Sequence, residues 1–161
     1  MHKKNRPLRI KSFLQSTAFC GPASLKIALS FFGKEFSEKE LARLSQATSE
    51  HGTFHAGMVT GAKKCGAKTF VKEKGTIKDI QQWLYKKNVP VIVGWYDTSG
   101  EEGDHYSVVY HISKHYIYMM DPATDSGYRK MSLKKFLHYW YDFEDDKNTL
   151  KIHRWFMTLW F

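Results

Sequence analysis

Cysteine is scarce in this chain, with only Cys20 and Cys65 among 161 residues. That excludes a small secreted scaffold stapled by disulfides, and a chain of this length buries a core without staples. Proline is scarce as well, at four residues, and no Pro- or Ser-rich linker, internal repeat or low-complexity tract interrupts the sequence. These absences predict one domain over residues 1–161, with residues 1–12 a short basic N-terminal extension. No apolar run approaches the ~20 residues needed to span a bilayer. The start MHKKNRPLRIKSFL carries charge but lacks the apolar stretch and small-residue cleavage site of a signal peptide. The expected location is therefore the cytoplasm, with no membrane span. The glycine-rich GTFHAGMVTG is not a phosphate-binding loop, because no G-x-x-x-x-G-K-[ST] occurs.

Hydrophobic residues at 42% and aromatics at 16% describe a globular chain. The formal net charge is +9, but the lysines are spread as singles and pairs, among them Lys34, Lys39, Lys63, Lys64, Lys134 and Lys135. That pattern suits a solvated basic surface better than a nucleic-acid groove. An acidic protein remains a partner such a surface would fit.

Helix signals dominate the first half. Leu25, Ala28, Leu29 and Phe32 share one face of a helix that runs from Cys20 and stops at Gly33, with Pro22 tolerated in its first turn. SEKE (Ser37 to Glu40) is a capping box for a short helix through Leu41 and Leu44. Phe54, Met58 and Ala62 recur at helical spacing before Gly66, and Thr76 caps a segment whose apolar face is Ile77, Ile80 and Leu84. The second half is richer in strands. Val89 to Tyr96 is a buried-strand run, and His105 to Ile112 with Tyr116 to Asp121 form a hairpin. Ser132 caps LKKFLHYWY, and a final strand lies within LKIHRWFMTLWF. Helices followed by an antiparallel sheet make an α+β arrangement.

The hairpin brings chemistry together. Opposed residues of an antiparallel pair have a constant index sum, and the sum for His105 and Asp121 centres the turn on Ser113. Imidazole and carboxylate thus meet at the open end, to within a register step or two. Asp104 is nearer in sequence, but adjacent strand residues point to opposite faces, so Asp121 is the better partner. Taken alone, Cys20 has four fates: buried hydrophobe, disulfide half, metal ligand or nucleophile. At the first turn of a helix, the macrodipole and unpaired N–H groups favour its thiolate. If that helix start packs against the open end of the hairpin, Cys20, His105 and Asp121 supply nucleophile, base and orienter. Gln15 then sits where its side-chain amide can join the Cys20 N–H in holding an oxyanion.

QSTAFCGPAS before a helix, GT before a second helical segment, then GDHYSVV and MDPAT, resemble the C39-like cysteine peptidases of the papain-like clan, best known as bacteriocin leader-processing domains. The resemblance runs from about Phe13 to about Trp155. It implies a papain-like α+β fold, with the nucleophile at a helix N-terminus packed on an antiparallel sheet. By motif position it makes Cys20 the nucleophile, His105 the general base, Asp121 the orienter and Gln15 the oxyanion-hole glutamine. The implied reaction is hydrolysis of peptide or related amide bonds in a peptide or protein substrate. The chain departs from the best-known members in two respects: no transporter segment follows, and Phe19 precedes the cysteine where many have an acidic residue. Both bear on the double-glycine leader substrate and neither on the thiol chemistry. Acyl transfer (transamidation), or peptide binding without catalysis, are the alternatives on the same fold.

The other candidates have plainer readings. Cys65 ends an amphipathic helix and is structural. His51 and His55, like His111 and His115, are spaced i, i+4, but neither pair has a third ligand at a known spacing. No metal and no cofactor are expected. His138 and His153 are placed on the surface, and the aromatics of HYWYDF and RWFMTLWF in the core. Trp95 and Tyr96 either line a cleft or pack. DTSGEEGD is either a lid or specificity loop, or a plain connection.

Overall fold

A computed structural model describes residues 5–100 and 102–161. The first four residues of the basic extension, and Glu101 of the DTSGEEGD loop, lie outside them. The first three helices form where the sequence places them: α1 (Cys20–Phe31), α2 (Glu38–Leu44) and α3 (His55–Lys64). Gly33 and Gly66 follow α1 and α3 with φ of 72° and 89°, the left-handed stop that glycine adopts without a Cβ penalty. Ser37 accepts from the Glu40 N–H at 3.1 Å. Phe54 is not on the buried face of α3. It is the N-cap residue, outside the helical spacing, and stays 39% exposed, whereas Met58 and Ala62 are fully buried.

Thr76 and Asp79 form a reciprocal capping box that opens α4 (Ile77–Gln81). A π-helical turn, Gln82–Lys86, continues α4 and keeps Leu84 on the buried face with Ile80. Among the described residues eight strands follow or intervene: β1 (Lys68–Lys72), β2 (Val91–Asp97), β3 (Gly103–Ile112), β4 (Tyr116–Met120), β5 (Tyr128–Ser132), β6 (Tyr141–Phe143), β7 (Lys151–His153) and β8 (Phe156–Trp160). Between β5 and β6, α5 (Leu133–Tyr139) begins at Ser132, whose hydroxyl accepts from the Lys135 N–H at 3.1 Å.

Six strands form one sheet in the order β1-β8-β2-β3-β4-β5, each neighbour antiparallel. The expected single last strand is two. β7 pairs with β6 apart from the main sheet, and β8 enters that sheet between β1 and β2. Strand alternation divides the core. Ile92, Val108, Met120 and Met157 pack with Leu25, Leu29, Met58 and Ala62 of α1 and α3. Val91, Val93, Val109, Met119 and Phe156 face the other way, onto Ile80, Leu84, Phe136 and Trp140. Each fully buried aliphatic side chain of this kind contributes about 1.5–3 kcal/mol, so the sheet is clamped from both sides.

The β3–β4 register shifts between Val109 and His111. At that bulge the Tyr110 carbonyl accepts from the Leu8 N–H at 3.0 Å, and Leu8 is buried in the second cluster. The described part of the N-terminal segment is therefore docked along the sheet. This brings Gln15 towards the end of the sheet where β3 begins and β4 ends.

Candidate active site

Asp121 follows the last residue of β4 and is opposed, in register, to Ser107 of β3. His105 lies two positions away on the same strand face, a diagonal neighbour within side-chain reach. The hairpin is thus offset by two residues from the direct opposition expected of His105 and Asp121. The side chains close that gap: His105 Nε2 and Asp121 Oδ1 are 2.7 Å apart. Asp121 is wholly buried, and its Oδ1 also accepts from the Ala123 N–H at 2.9 Å. Burial alone would push this carboxyl up. The hydrogen bond and charge of His105, with the Arg129 charge, reverse that and hold it at about 2. Burial likewise opposes the His105 imidazolium, yet the bonds to Asp121 and Cys20 carry His105 up to about 10. Nε2 is committed to Asp121, which leaves Nδ1 as the nitrogen that can exchange a proton with Cys20.

Cys20 is the first residue of α1 and is half-buried. The first intrahelical bond runs from Ala23 N–H to the Phe19 carbonyl, so the Cys20 N–H has no acceptor within the helix. Ala18, two residues earlier, has φ of 67°, which turns the chain sharply into the helix. Gly21 matters for what lies beside it. A Cβ there would sit 2.5 Å from Thr53 Oγ1 and 3.0 Å from Met58 Sδ, so the start of α1 approaches α3 as only glycine allows. Gln15 is tied by its backbone: its N–H donates to the Pro122 carbonyl at 2.8 Å, next to Asp121. Its side-chain Oε1 is buried without a partner among the described residues.

These residues open onto one cleft of ≈ 620 Å³, whose lining includes Gln15, Cys20 and His105. Asp142, which also lines the cleft, belongs to a second histidine–carboxylate pair. His55 Nε2 and Asp142 Oδ2 are 2.6 Å apart, the Glu144 carboxylate accepts from the His55 N–H at 2.8 Å, and the His55 ring stacks on Trp155 at 4.0 Å. Asp104, which alternation turns away from His105, accepts from the Phe143 N–H. Burial and the neighbouring Asp142 charge raise its carboxyl to about 7. Among the described residues no His, Cys, Asp or Glu group is arranged to hold a metal ion.

A model of the peptidase C39 family matches residues 12–143. The chain belongs to that family. It is a cysteine peptidase, with the papain-like α+β fold. No curated protein matches it by sequence. Similar solved structures include the peptidase domain of Streptococcus ComA, a bi-functional ABC transporter involved in a quorum sensing pathway. That domain is 25% identical over 94% of this chain and 96% of its own, with a TM-score of 0.68. A double glycine motif protease from an AMS/PCAT transporter, in complex with the leader peptide, is 16% identical over 97% and 94%, at 0.71. A C39-like peptidase from Bacillus anthracis is 15% identical over 95% of each chain, also at 0.71.

Sequence reasoning missed part of this peptidase's site. Arg129 on β5 donates from Nε to Asp121 Oδ2 at 2.5 Å, from one terminal nitrogen to Ser99 Oγ at 3.0 Å, and from the other to Asp97 Oδ2 at 3.3 Å. The charge-rich YRKMS gave no strand signal, although Ser126-Gly127 before it is a turn signal that would have placed β5 beside β4. Trp95 does not line the cleft. It is buried beneath His105, edge-on at 5.6 Å, and donates to Ser107 Oγ. Tyr96 stacks on Tyr141. Residues of the DTSGEEGD loop do line the cleft, among them Asp97, Ser99 and Asp104. Burial, then the Glu40 charge, raises the Cys65 thiol, so it resists ionisation.

Proposed function

We propose that the chain is a single folded unit that hydrolyses peptide bonds. Cys20 is the nucleophile, His105 the general base, Asp121 the orienter, and the Gln15 side chain with the Cys20 N–H the oxyanion-hole donors. The observation that carries this reading is the 2.7 Å bond between His105 and a wholly buried Asp121 at the wall of the cleft that also holds Cys20. Cys20 gives its thiol proton to His105, the sulfur attacks the scissile carbonyl carbon, and the negative charge on the carbonyl oxygen is met by Gln15 and the helix N-terminus. Collapse breaks the C–N bond, His105 delivers its proton to the leaving amine, and a thioester remains. His105 then takes a proton from water, the resulting hydroxide adds to the thioester, and the carboxylate product leaves as the thiol is restored.

A peptide substrate is also supported by the leader peptide held by the AMS/PCAT protease of the same fold. Cys20→Ala is expected to reduce peptide turnover to background, with an unchanged thermal unfolding curve, when a peptide panel is read by product mass. Turnover by that variant equal to the wild type would overturn the reading. Iodoacetamide provides a check that needs no substrate: Cys20 should label faster than Cys65 below pH 8 and lose that advantage in His105→Ala.

A further inference from the structure

The proposed triad is not the end of the polar chain. Asp121 has one oxygen on His105 and the Ala123 N–H, and its other oxygen takes the Arg129 Nε–H. Arg129 stands two residues along β5 from Gly127, the position at which the β4–β5 register opposes Asp121. Asp121 is therefore flanked symmetrically, with a diagonal neighbour on β3 and another on β5. The guanidinium lies over the Trp95 ring at 5.3 Å, and Trp95 in turn meets the His105 ring edge-on. Its remaining arms hold Ser99 and Asp97, and Asp97 Oδ1 accepts from both the Ser99 N–H and hydroxyl, at 2.9 Å and 2.6 Å. Ser99 and Asp97 belong to the cleft wall.

We propose that Arg129 is a positioning residue of this peptidase: it fixes the orienting carboxylate Asp121 against His105 and ties that carboxylate to the cleft wall at Asp97 and Ser99. The inference rests on the thiol mechanism proposed above. Two features make the arginine more than a packing residue. A planar guanidinium satisfies Asp121, Ser99 and Asp97 from three nitrogens at once, which a lysine ammonium on a flexible stem does not reproduce. Asp121 is also buried, so without Arg129 one carboxylate oxygen is left without a donor away from water, and protonation relieves it. A protonated Asp121 cannot balance the His105 imidazolium. The charged and titratable groups facing Asp121 are His105 from β3, Arg129 from β5, Asp97 from the end of β2 and, through His105, Cys20 from α1. Asp97 is already paired with the same guanidinium, so Arg129 is the cation whose loss Asp121 registers.

The test is Arg129→Met, Arg129→Lys and Ser99→Ala beside the wild type, each checked for folding by thermal unfolding. Peptide turnover and the rate of Cys20 alkylation by iodoacetamide are measured from pH 4 to 9. In Arg129→Met, kcat is expected to fall about 10²-fold with little change in KM. The acid limb of both profiles should move up by at least about one pH unit. Arg129→Lys should restore the limb in part and kcat only weakly, and Ser99→Ala should leave the limb in place. A folded Arg129→Met with wild-type limbs would overturn the proposal, as would loss of folding in both Arg129 variants, which would make the role structural. A wild type that neither cleaves peptide nor alkylates Cys20 faster than Cys65 would instead overturn the thiol mechanism and leave Arg129 out of account.

Discussion

Asp121 and His105 are displaced in opposite directions, to about 2 and about 10, from ordinary values of about 3.9 and 6.5. A carboxyl held down stabilises the fold above its unfolded pKa and loses that contribution as pH falls from about 4 through 2. An imidazole held up contributes below about 6.5 and loses it as pH rises through about 10. The pair therefore stabilises fully between about pH 4 and 6.5. Melting temperature measured against pH should show this window in the wild type, and Asp121→Asn should flatten it on both sides. An unaltered profile in that variant would mean that the pair is not coupled to folding. The role proposed for Gln15 is in the reaction instead. Gln15→Ala is expected to lower kcat by about 10²–10³-fold, as for loss of one oxyanion donor, with stability unchanged because its Oε1 makes no bond to lose. Residues of this kind were legible because their types are rare and their partners few. His105 and Asp121 needed only a hairpin and a period of two, and a two-residue offset still left them on the same face. Arg129 was not legible, since nothing distinguishes one arginine among 25 basic residues until the register of β5 is known.

At the level of elements, the helices were read from caps and stops that act within four residues: Thr76 with Asp79, Ser132 with Lys135, and Gly33 and Gly66 at positive φ. β1 escaped because its partner, β8, lies some 90 residues away, and as an edge strand it is largely exposed, with Phe70 and Val71 each 40% accessible. β6 and β7 escaped because they are three residues each. The junction of α1 with α3 governs where Cys20 sits. Gly21→Ala forces its Cβ into Thr53 and Met58. It is expected to cost about 1–3 kcal/mol in urea unfolding and to slow Cys20 alkylation by tilting the helix start. The His55–Asp142 pair pins β6 to α3 over Gly94, where a side chain would strike both partners. Asp142→Ala leaves the buried His55 Nε2 without its partner while Glu144 stays 3.4 Å from Nδ1, and urea titration should show a loss of about 1–3 kcal/mol. Retained stability would mean that water replaces the carboxylate.

Across the whole molecule, charge is divided by sign. The protein carries +9, yet among the described residues those lining the cleft include seven Asp and Glu side chains, Asp97, Asp104 and Asp142 among them, and no Lys or Arg. A cleft walled in one sign attracts the opposite charge, and the basic exterior repels it, so the field directs a cationic segment inward. Peptides matched in length and scissile bond, with lysines or glutamates at flanking positions, should differ in KM by about tenfold in favour of lysine at low salt. The difference should shrink in 1 M salt, where the screening length falls to about 3 Å. Asp104 adds a pH signature. Its carboxyl sits at about 7, so the cleft gains negative charge as pH rises from 6 to 8, and KM for the lysine peptides should fall over that interval while KM for the glutamate peptides rises. Asp104→Asn should remove the pH trend and keep part of the salt trend, because the other carboxylates remain. Equal KM values for both peptide sets at low salt would show that the charge of the cleft wall plays no part in substrate choice.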